Sequence, residues 1–510
     1  MSSASRWTLV ATIVASSMTF IDATVANVAL PALQAELHAT ITDVQWVIEA
    51  YALFLGALIL VGGSMGDQFG RKRVFLFGVG FFTAASVLCG VAPSPRVLIA
   101  GRALQGIGAA FLVPGSLAII SATFDDDERG TAIGTWSGFT AITAAIGPVV
   151  GGWLIDHLSW RAIFFMNVPF AIVVVLLSLR FMDESRDPSR TEATDWTGAG
   201  LSILGLGGIV FGLLEWTPLG PDHPLVIGSL LIGGLSIPCL LLVEHRTSNP
   251  MMPLHLFESR PFLLSNILTL LLYAALSIIF FLVPLDLIQV QHYSATGAGA
   301  ALIPFPLIMF VLSRWSGGLV ARVGSRLPLT VGPIIAAVGI ALYARPEIGG
   351  SYWTTFFPAV ATVGIGMAIT VAPLTTTVMN AVERSHSGVA SGINNAVARV
   401  AGLLAIAGFS VVMAHSFAAH VAPRLDRVGL APAVRAATDR QLVKMTGAEL
   451  DSVVALQPSQ RAAVRQAIDG AFVSTFRLLM LAAAALALVS ALFGAAIPGS
   501  RRPAAPGDAG

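Results

Sequence analysis

Among the charged side chains inside otherwise apolar stretches, four could take part in chemistry: Asp22, Glu49, Arg102 and Arg399. A charged residue at membrane depth costs about 2.5–3.5 kcal/mol on insertion scales, and such residues usually mark ion pathways or proton relays. Burial favours the neutral form of a carboxyl, which can then exchange protons near neutral pH. Asp22 lies about 12 Å inside its stretch at 1.5 Å per residue. We therefore expect it to be a proton-exchange site, the alternative being a structural carboxylate bonded to its own helix or to Asn27.

Each of the other three charged residues also has a functional interpretation and a structural alternative. Glu49 is expected to be a second proton site or a counter-ion for a cationic ligand, unless it reaches outer water. Arg102 is a permanent cation that could pair with a buried carboxyl, the alternative being a side chain that snorkels outward. Arg399 lies too deep to snorkel and needs a polar cavity, for which Asn394 and Asn395 are one turn away.

The stretches that contain these residues belong to a membrane protein. Of 510 residues, 55% are hydrophobic and only 11% are charged, whereas soluble proteins carry about 25% charged residues. Apolar runs of about 20 residues recur along the chain and predict an all-α integral membrane protein. Fourteen transmembrane spans are expected, near residues 8–30, 44–66, 74–92, 97–121, 131–155, 162–181, 197–217, 224–243, 262–284, 297–320, 328–345, 353–380, 388–414 and 472–497.

Basic residues predict the orientation of these spans. With both termini in the cytoplasm, fifteen basic residues fall in short inside segments and three in short outside loops, as the positive-inside rule requires. The long loop 415–471 is then outside, and its charges are discounted because long segments translocate regardless of charge. Thr446 and Glu449 have capping-box spacing and Pro458 could begin a helix, so short amphipathic helices are expected there.

The chain also repeats itself. Gly106 and Gly108 of the fourth span recur as Gly364 and Gly366 of the twelfth, 258 residues later. Related halves that meet at the bilayer midplane are typical of secondary transporters. We expect a six-helix bundle over residues 1–190, two inserted helices over 191–258, and a second six-helix bundle over 259–510.

Two glycine-containing segments could control a conformational change. The turn after the second span combines glycines with an acid and bases, and is either a latch or a simple topology anchor. In the fifth span, Gly-Pro can bend the helix and Gly-Gly allows close helix contact, ordinary packing being the alternative. The gate residues expected from these segments are Gly63, Asp67, Gly70, Arg71, Gly147, Pro148, Gly151 and Gly152.

Several motifs together resemble the major facilitator superfamily, and in particular its fourteen-helix drug:proton antiporters. They are GxxxDxxGRK at 63–72, RxxQGxG at 102–108, GPxxGG at 147–152, DxTxxNxALP at 22–31, and GVASGINNAVAR at 388–399. In the second-half turn, Ala321 stands where this family often has an acid, which predicts a weaker latch there.

The resemblance implies a proton-coupled exporter of hydrophobic or amphipathic small molecules, working by alternating access. Proton coupling is expected at Asp22, Arg102 and Glu49. A substrate cavity is expected near Glu49, Trp136, Asn394, Asn395 and Arg399, although packing is the alternative for the Trp136 aromatic ring. No cofactor, metal or nucleic acid is expected. The expected location is a bacterial plasma membrane, and a periplasmic adaptor with an outer-membrane channel stays open as a partner.

Other function classes have less support. An ATP pump needs GK[ST], but the only lysines, Lys72 and Lys444, follow Arg71 and Val443. A membrane enzyme is disfavoured because HExxH is absent and all nine histidines lie outside the expected spans. An exporter of one specific metabolite or lipid, and a ligand sensor that does not transport, remain as alternatives.

Overall fold

A computed structural model describes residues 3–186, 195–247, 250, 252–383, 387–453 and 456–498, and these ranges contain helices and no β-strand. The helices of the first half are α1 (Ser3–Glu36), α2 (Ile41–Phe69), α3 (Arg71–Gly90), α4 (Pro95–Thr123), α5 (Asp126–His157), α6 (Ala162–Phe165), α7 (Asn167–Phe181), α8 (Trp196–Leu214), α9 (Trp216–Leu219) and α10 (Pro224–Arg246). Those that follow are α11 (Arg260–Leu285), α12 (Ala295–Leu302), α13 (Pro304–Gly317), α14 (Leu319–Val323), α15 (Arg326–Leu342), α16 (Tyr352–Thr355), α17 (Phe357–Asn380), α18 (Ser387–Val428), α19 (Pro432–Gln441) and α20 (Pro458–Ala496).

The helices confirm the predicted all-α membrane fold. Within the described ranges, thirteen helices are long and apolar enough to cross a membrane. A further apolar helix, α15, has 17 residues and coincides with the predicted eleventh span. Every predicted span therefore contains a helix, and the count differs from fourteen only through the short α15.

The chain divides into two compact units. The first contains residues 1–251, 280–302 and 406–476, and the second contains 252–279, 303–405 and 477–510. Three of the five boundaries fall inside α11, α18 and α20, so these long helices contribute to both units. The division into two six-helix bundles with two inserted helices stays a prediction.

Helix α4 packs closely against α2 and α3 in the first unit, because glycines remove the side chains between them. A Cβ atom on Gly106 would overlap the backbone of Tyr51 in α2, and one on Gly108 would overlap Phe82 in α3. Small residues allow membrane helices to approach in this way. The two glycines of the RxxQGxG motif therefore fix α4 between two neighbours.

The helices α8 and α10, which correspond to the predicted inserted spans, pack against each other and reach the rest of the first unit through α2. Gly208 of α8 lies against the backbone of Gly233 in α10. On the other side, the indole of Trp46 in α2 donates a hydrogen bond of 2.9 Å to Glu215, directly after α8. The rings of Trp46 and Phe211 also lie 6.0 Å apart.

The segment 415–471 is more helical than predicted. Helix α18 continues to Val428, α19 is the expected short helix, and Pro458 begins α20, which runs on into the last predicted span. The predicted capping box at Thr446 and Glu449 is wrong, because residues 442–447 and 450–452 form 3-10 turns. The polar side chains of both residues bond across to other segments instead, as described below.

Candidate functional site

Asp22 lies in the middle of α1 and forms a buried ion pair with Arg102 of α4. The Nη1 atom of Arg102 is 2.5 Å from Oδ2 of Asp22, and each side chain is 1% exposed. The other carboxylate oxygen, Oδ1, accepts hydrogen bonds from Gln105 Nε2 at 2.7 Å and from Asn167 Nδ2 at 3.4 Å. The structure thus brings together two of the three predicted proton-coupling residues, and gives both carboxylate oxygens a donor.

The guanidinium of Arg102 also contacts α2. Its Nε donates to the carbonyl of Val47 at 3.1 Å, and its Cζ lies 4.3 Å from the centre of the Tyr51 ring. A second Nη1 hydrogen bond reaches Gln105 Oε1 at 2.8 Å. A buried arginine needs several such partners, because its charge is permanent. One cation therefore joins α1, α2 and α4.

Breaking one partner of a buried ion pair costs about 3–5 kcal/mol, because the other charge is left without compensation. Protonation of Asp22 would have this effect on Arg102. Proton binding would then favour any arrangement of α1, α2 and α4 that gives the guanidinium another partner.

Gln105 belongs to the RxxQGxG motif quoted above, and neither Gln105 nor Asn167 was predicted as a site residue. Asn167 begins α7 and also donates to Ser86 Oγ at 2.9 Å. Ser86 in turn donates to the carbonyl of Phe164 at 2.8 Å. These contacts position both amides against Asp22. The signal in the sequence was their polarity inside apolar stretches.

Glu49, the third predicted proton-coupling residue, differs sharply from Asp22. It is 0% exposed, and neither of its carboxyl oxygens has a hydrogen-bond partner among the described residues. The structure does not join it to the Asp22–Arg102 pair through any hydrogen bond described for these residues.

The predicted cavity residues lie in different places. Trp136 of α5 donates to Ser16 Oγ in α1 at 3.0 Å and packs with Leu9, Ile120 and Phe124. In the second unit, Asn394 of α18 donates to Asn266 Oδ1 and to Thr269 Oγ1 of α11, at 3.1 and 2.7 Å.

Asn395 and Arg399 lie on α18 beside Asn394. Asn395 is exposed and donates to the carbonyl of Ser391 at 3.0 Å, whereas Arg399 is half-buried. The role of these cavity residues in binding stays a prediction.

The turn between α2 and α3 is held by an ion pair and by an acid that was not predicted. Arg71 lies 2.8 Å from Asp67, and Gly70 adopts a positive φ of 110°. Glu184, after α7, accepts hydrogen bonds from the backbone N–H of Lys72 at 3.0 Å and of Arg73 at 3.3 Å. Its carboxylate thereby caps the positive end of α3. Gly63 lies in α2, before this turn. A Cβ added to Gly63 would make ordinary van der Waals contact with Pro114 of α4.

The GPxxGG motif of α5 is a contact surface for two helices. A Cβ on Gly147 would meet Thr24, and one on Gly151 would meet Val25, both in α1. A Cβ on Gly152 would overlap the backbone of Ala295 in α12. A Cβ on Gly299 of α12 would similarly overlap the carbonyl of Pro148. The motif glycines thus let α5 approach α1 and α12 together.

Asp156 fixes the start of α12 against α5 one turn beyond the motif. Its carboxylate accepts from the backbone N–H of Ala295 at 3.1 Å and of Thr296 at 2.8 Å, and from the Thr296 hydroxyl at 2.5 Å. An aspartate in this position is a helix N-cap supplied by another helix. Sequence reasoning missed it, because a capping residue far along the chain leaves no local pattern.

The segment 442–449, which we call the cap segment and which begins with the 3-10 turn Leu442–Gly447, closes over the Gln34 end of α1. Gln34 Nε2 donates to the carbonyl of Lys444 at 3.0 Å and its Oε1 accepts from Gln289 at 2.8 Å. Thr446 donates to the side-chain carbonyl of Gln289. Arg465 of α20 donates to the carbonyls of Thr446 and Ala448, at 2.8 and 2.7 Å.

An ion-paired glutamate ties the cap segment to the chain after α1. Glu449 Oε1 lies 2.7 Å from Lys444 Nζ and 2.7 Å from His38 Nδ1. Hydrogen bonds from Lys444 and His38 hold the pKa of Glu449 below its usual value. Among the residues that the structure describes, no cluster of three or more His, Cys, Asp or Glu side chains could hold a metal ion.

Comparisons with known proteins identify relatives of the chain. The chain is 32% identical over 421 residues to the multidrug resistance protein Stp of Mycobacterium tuberculosis, covering 82% of this chain and 78% of the relative. It is 30% identical over 499 residues to the tetracenomycin C resistance and export protein of Streptomyces glaucescens, covering 95% and 90%. It is 34% identical to the puromycin resistance protein pur8 of Streptomyces alboniger, covering 82% and 83%.

The fold is also similar to solved transporter structures. A bacterial homologue of the human lysosomal transporter Spinster matches with a TM-score of 0.64, 15% identity, and coverage of 98% of this chain and 99% of that one. Residues 12–406 match the model of the Major Facilitator Superfamily. The chain is therefore a transporter rather than an enzyme, and it belongs to the Major Facilitator Superfamily.

Proposed function

We propose that this transporter is a proton-coupled exporter of hydrophobic or amphipathic small molecules such as drugs. The buried pair of Asp22 and Arg102 is the observation that carries the proposal. It is a carboxylate that a proton can neutralise, held against a cation that must then move. Relatives named for resistance to several drugs, to tetracenomycin C and to puromycin support the substrate class.

In the proposed cycle, proton binding and substrate binding favour opposite access states. An effector that favours one state lowers affinity for a ligand of the other, and the coupling free energy is shared between the two sites. Each elementary charge that crosses 100 mV supplies about 2.3 kcal/mol. Inward proton movement through Asp22 would thereby drive outward substrate movement.

The contacts of the first unit suggest where the cycle is gated. The turn at Asp67, Gly70 and Arg71 lies at one end of α2, whereas the α5–α12 contact near Gly152 includes the cap of Asp156 on α12. We propose that these contacts break and form in alternation. Trp136, Asn394, Asn395 and Arg399 are proposed to face the substrate.

The proposed location is the plasma membrane of a bacterium, with both termini in the cytoplasm. The basic residues of the short loops support this orientation, and the named relatives are bacterial. The cap segment would then lie on the outer side, and the Gly70 turn on the inner side.

Everted membrane vesicles test the proposal. Respiration acidifies their interior, and a fluorescent probe follows ΔpH while puromycin or a panel of amphipathic cations is added. We expect substrate to release protons from vesicles with the wild-type protein, and not from vesicles with Asp22→Asn. The exposed carboxylate of Asp426, which pairs with Arg435, provides the control variant Asp426→Asn.

A response that survives in a folded Asp22→Asn protein would place the coupling elsewhere. No response from the wild type to any compound of the panel, despite normal amounts of protein in the membrane, would favour a narrow-substrate exporter or a sensor.

A further inference from the structure

Glu49 is a buried charged residue that the Asp22 site does not explain. It is 0% exposed, and both oxygens lack a hydrogen-bond partner in the described part of the chain. An ionised carboxylate in such a place is so unfavourable that the group takes up a proton instead. Even the neutral acid loses about 1–3 kcal/mol when its polar atoms stay unsatisfied. A glutamate here is therefore a poor choice for packing alone.

Its neighbours on α2 show which helix covers it. Residues 46, 49 and 53 lie on one face of a helix by their spacing. Trp46 contacts Phe211 and Glu215, as described above, and Leu53 Cδ2 lies 3.5 Å from the Cβ position of Gly207 in α8. Glu49 lies between these two contacts, so its face of α2 is the one that α8 covers.

The Asp22–Arg102 pair acts on the opposite face of α2. Arg102 contacts α2 at the carbonyl of Val47 and at the ring of Tyr51, and these positions lie roughly 160–200° around the helix from Glu49 at 100° per residue. A helix is about 10–12 Å across with its side chains. Helix α2 therefore separates the carboxylate of Asp22, which pairs with Arg102, from the carboxyl of Glu49, which has no hydrogen-bond partner among the described residues.

Most charged groups on the elements that pack against α2 are engaged with other partners, and Arg6 of α1 and Arg96 of α4 are exposed. Asp22 and Arg102 pair with each other, and Glu215 accepts from Trp46. On α3, Arg71 pairs with Asp67 and Arg73 with Glu184, while Lys72 donates to the carbonyl of Met182. Lys444 of the cap segment pairs with Glu449. The contacts described for these groups leave Glu49 without a counter-charge.

We propose that Glu49 is a second proton-binding site, which holds its proton while α8 covers α2 and loses it when the two helices separate. This inference rests on the proposed proton coupling and deepens it. The inserted helix α8 then takes part in proton coupling, because its contact with α2 determines whether water reaches the Glu49 carboxyl. Asp22 of α1 and Glu49 of α2 lie at opposite faces of α2. Their carboxyls would then exchange protons in different states of one transport cycle.

Infrared spectroscopy of the full-length protein in lipid tests the proposal without requiring transport. A protonated carboxyl has its own C=O stretching band, distinct from that of a carboxylate. We expect one such band in the wild type at neutral pH that Glu49→Gln removes and that Glu215→Gln, at the same helix interface, does not. Glutamine has nearly the shape of the neutral acid, so the variant should fold.

Transport in vesicles supplies the second readout. Adding a substrate that releases protons in vesicles should weaken the Glu49 band in the wild type. Glu49→Gln should release about twofold fewer protons per substrate, because Asp22, without which the cycle does not run, is then the one proton-binding group that remains. The control Asp426→Asn, whose exposed carboxylate pairs with Arg435, should match the wild type in proton release.

The inference is overturned if no protonated-carboxyl band depends on Glu49. It is equally overturned if the band is lost in Glu49→Gln while proton release per substrate stays at the wild-type value. A wild type that never releases protons is a different outcome, since it contradicts the proposed function whatever the spectrum shows.

Discussion

Asp22 and Arg102 pair at 2.5 Å across the interface of α1 and α4, with 1% of each side chain exposed. Asp22→Asn keeps the size of the side chain and a carbonyl acceptor for Gln105, but leaves Arg102 as an uncompensated buried cation. We expect the variant to lose about 3–5 kcal/mol of stability. The unfolding temperature of the purified protein measures this loss.

The double variant Asp22→Asn/Arg102→Met separates charge balance from transport. It should recover much of the unfolding temperature, because no buried charge remains, while proton release in vesicles should stay absent. Glu36→Gln is the matched control on α1, since its partner Arg161 is half-buried and exposed pairs contribute only about 0–1 kcal/mol. A double variant as unstable as the single one would contradict the charge argument.

Gly152 and Gly138 provide a second matched pair, both on α5. A Cβ on Gly152 would overlap the backbone of α12, whereas a Cβ on Gly138 meets nothing within 4 Å. Gly152→Ala should destabilise by about 1–3 kcal/mol through overpacking and lower the rate of substrate efflux. Gly138→Ala should be neutral or stabilising by up to about 1 kcal/mol, since alanine favours helix.

Efflux of an accumulated fluorescent substrate from intact cells, normalised to protein in the membrane, compares the two alanine variants. Equal efflux by both would mean that α5 and α12 do not need to approach closely during transport.

The positions of the helices could be predicted from the sequence because membrane spans depend on local hydropathy. Asp22 and Arg102 could be selected for the same reason, since each is a charge inside an apolar run. Their pairing could not be derived in this way. It depends on the packing of α1 against α4, which brings together residues 80 positions apart in the chain.

The residues that sequence reasoning missed share a physical cause. Glu184 and Asp156 cap helices that begin far away in the chain, so no local spacing reveals them. The capping box predicted at Thr446 and Glu449 failed for the complementary reason. Its spacing was correct, but long-range partners, Gln289 for Thr446 and His38 for Glu449, take both side chains.

Glu184 should stabilise the turn between α2 and α3. Its carboxylate accepts two N–H groups from the first turn of α3, so Glu184→Ala removes both a cap and a favourable charge at a helix N-terminus. A loss of about 1 kcal/mol is expected, and hydrogen exchange of the amides of Lys72 and Arg73 should become faster. The exposed neighbour Asp183 supplies the control Asp183→Ala, and unchanged exchange in Glu184→Ala would contradict the capping role.

The cap segment should loosen in acid because of Glu449. Its pKa is lowered in the folded protein by hydrogen bonds from Lys444 and His38. A carboxyl with a lowered pKa contributes stability above its ordinary value of 4.5 and loses that contribution as pH falls through the folded value. Protection of the cap segment from hydrogen exchange, corrected for intrinsic rates, should be constant near neutral pH and fall below pH 4.5.

Glu449→Gln tests this assignment, because it removes the titration and keeps the size of the side chain. The variant should have lower protection of the cap segment at neutral pH and no further step in the acid range. Asp451, whose side chain is 90% exposed, gives the control Asp451→Asn, which should keep the wild-type profile. An acid step of the same size in Glu449→Gln would assign the titration to another group and leave the ion pair with Lys444 without a role in closing the segment.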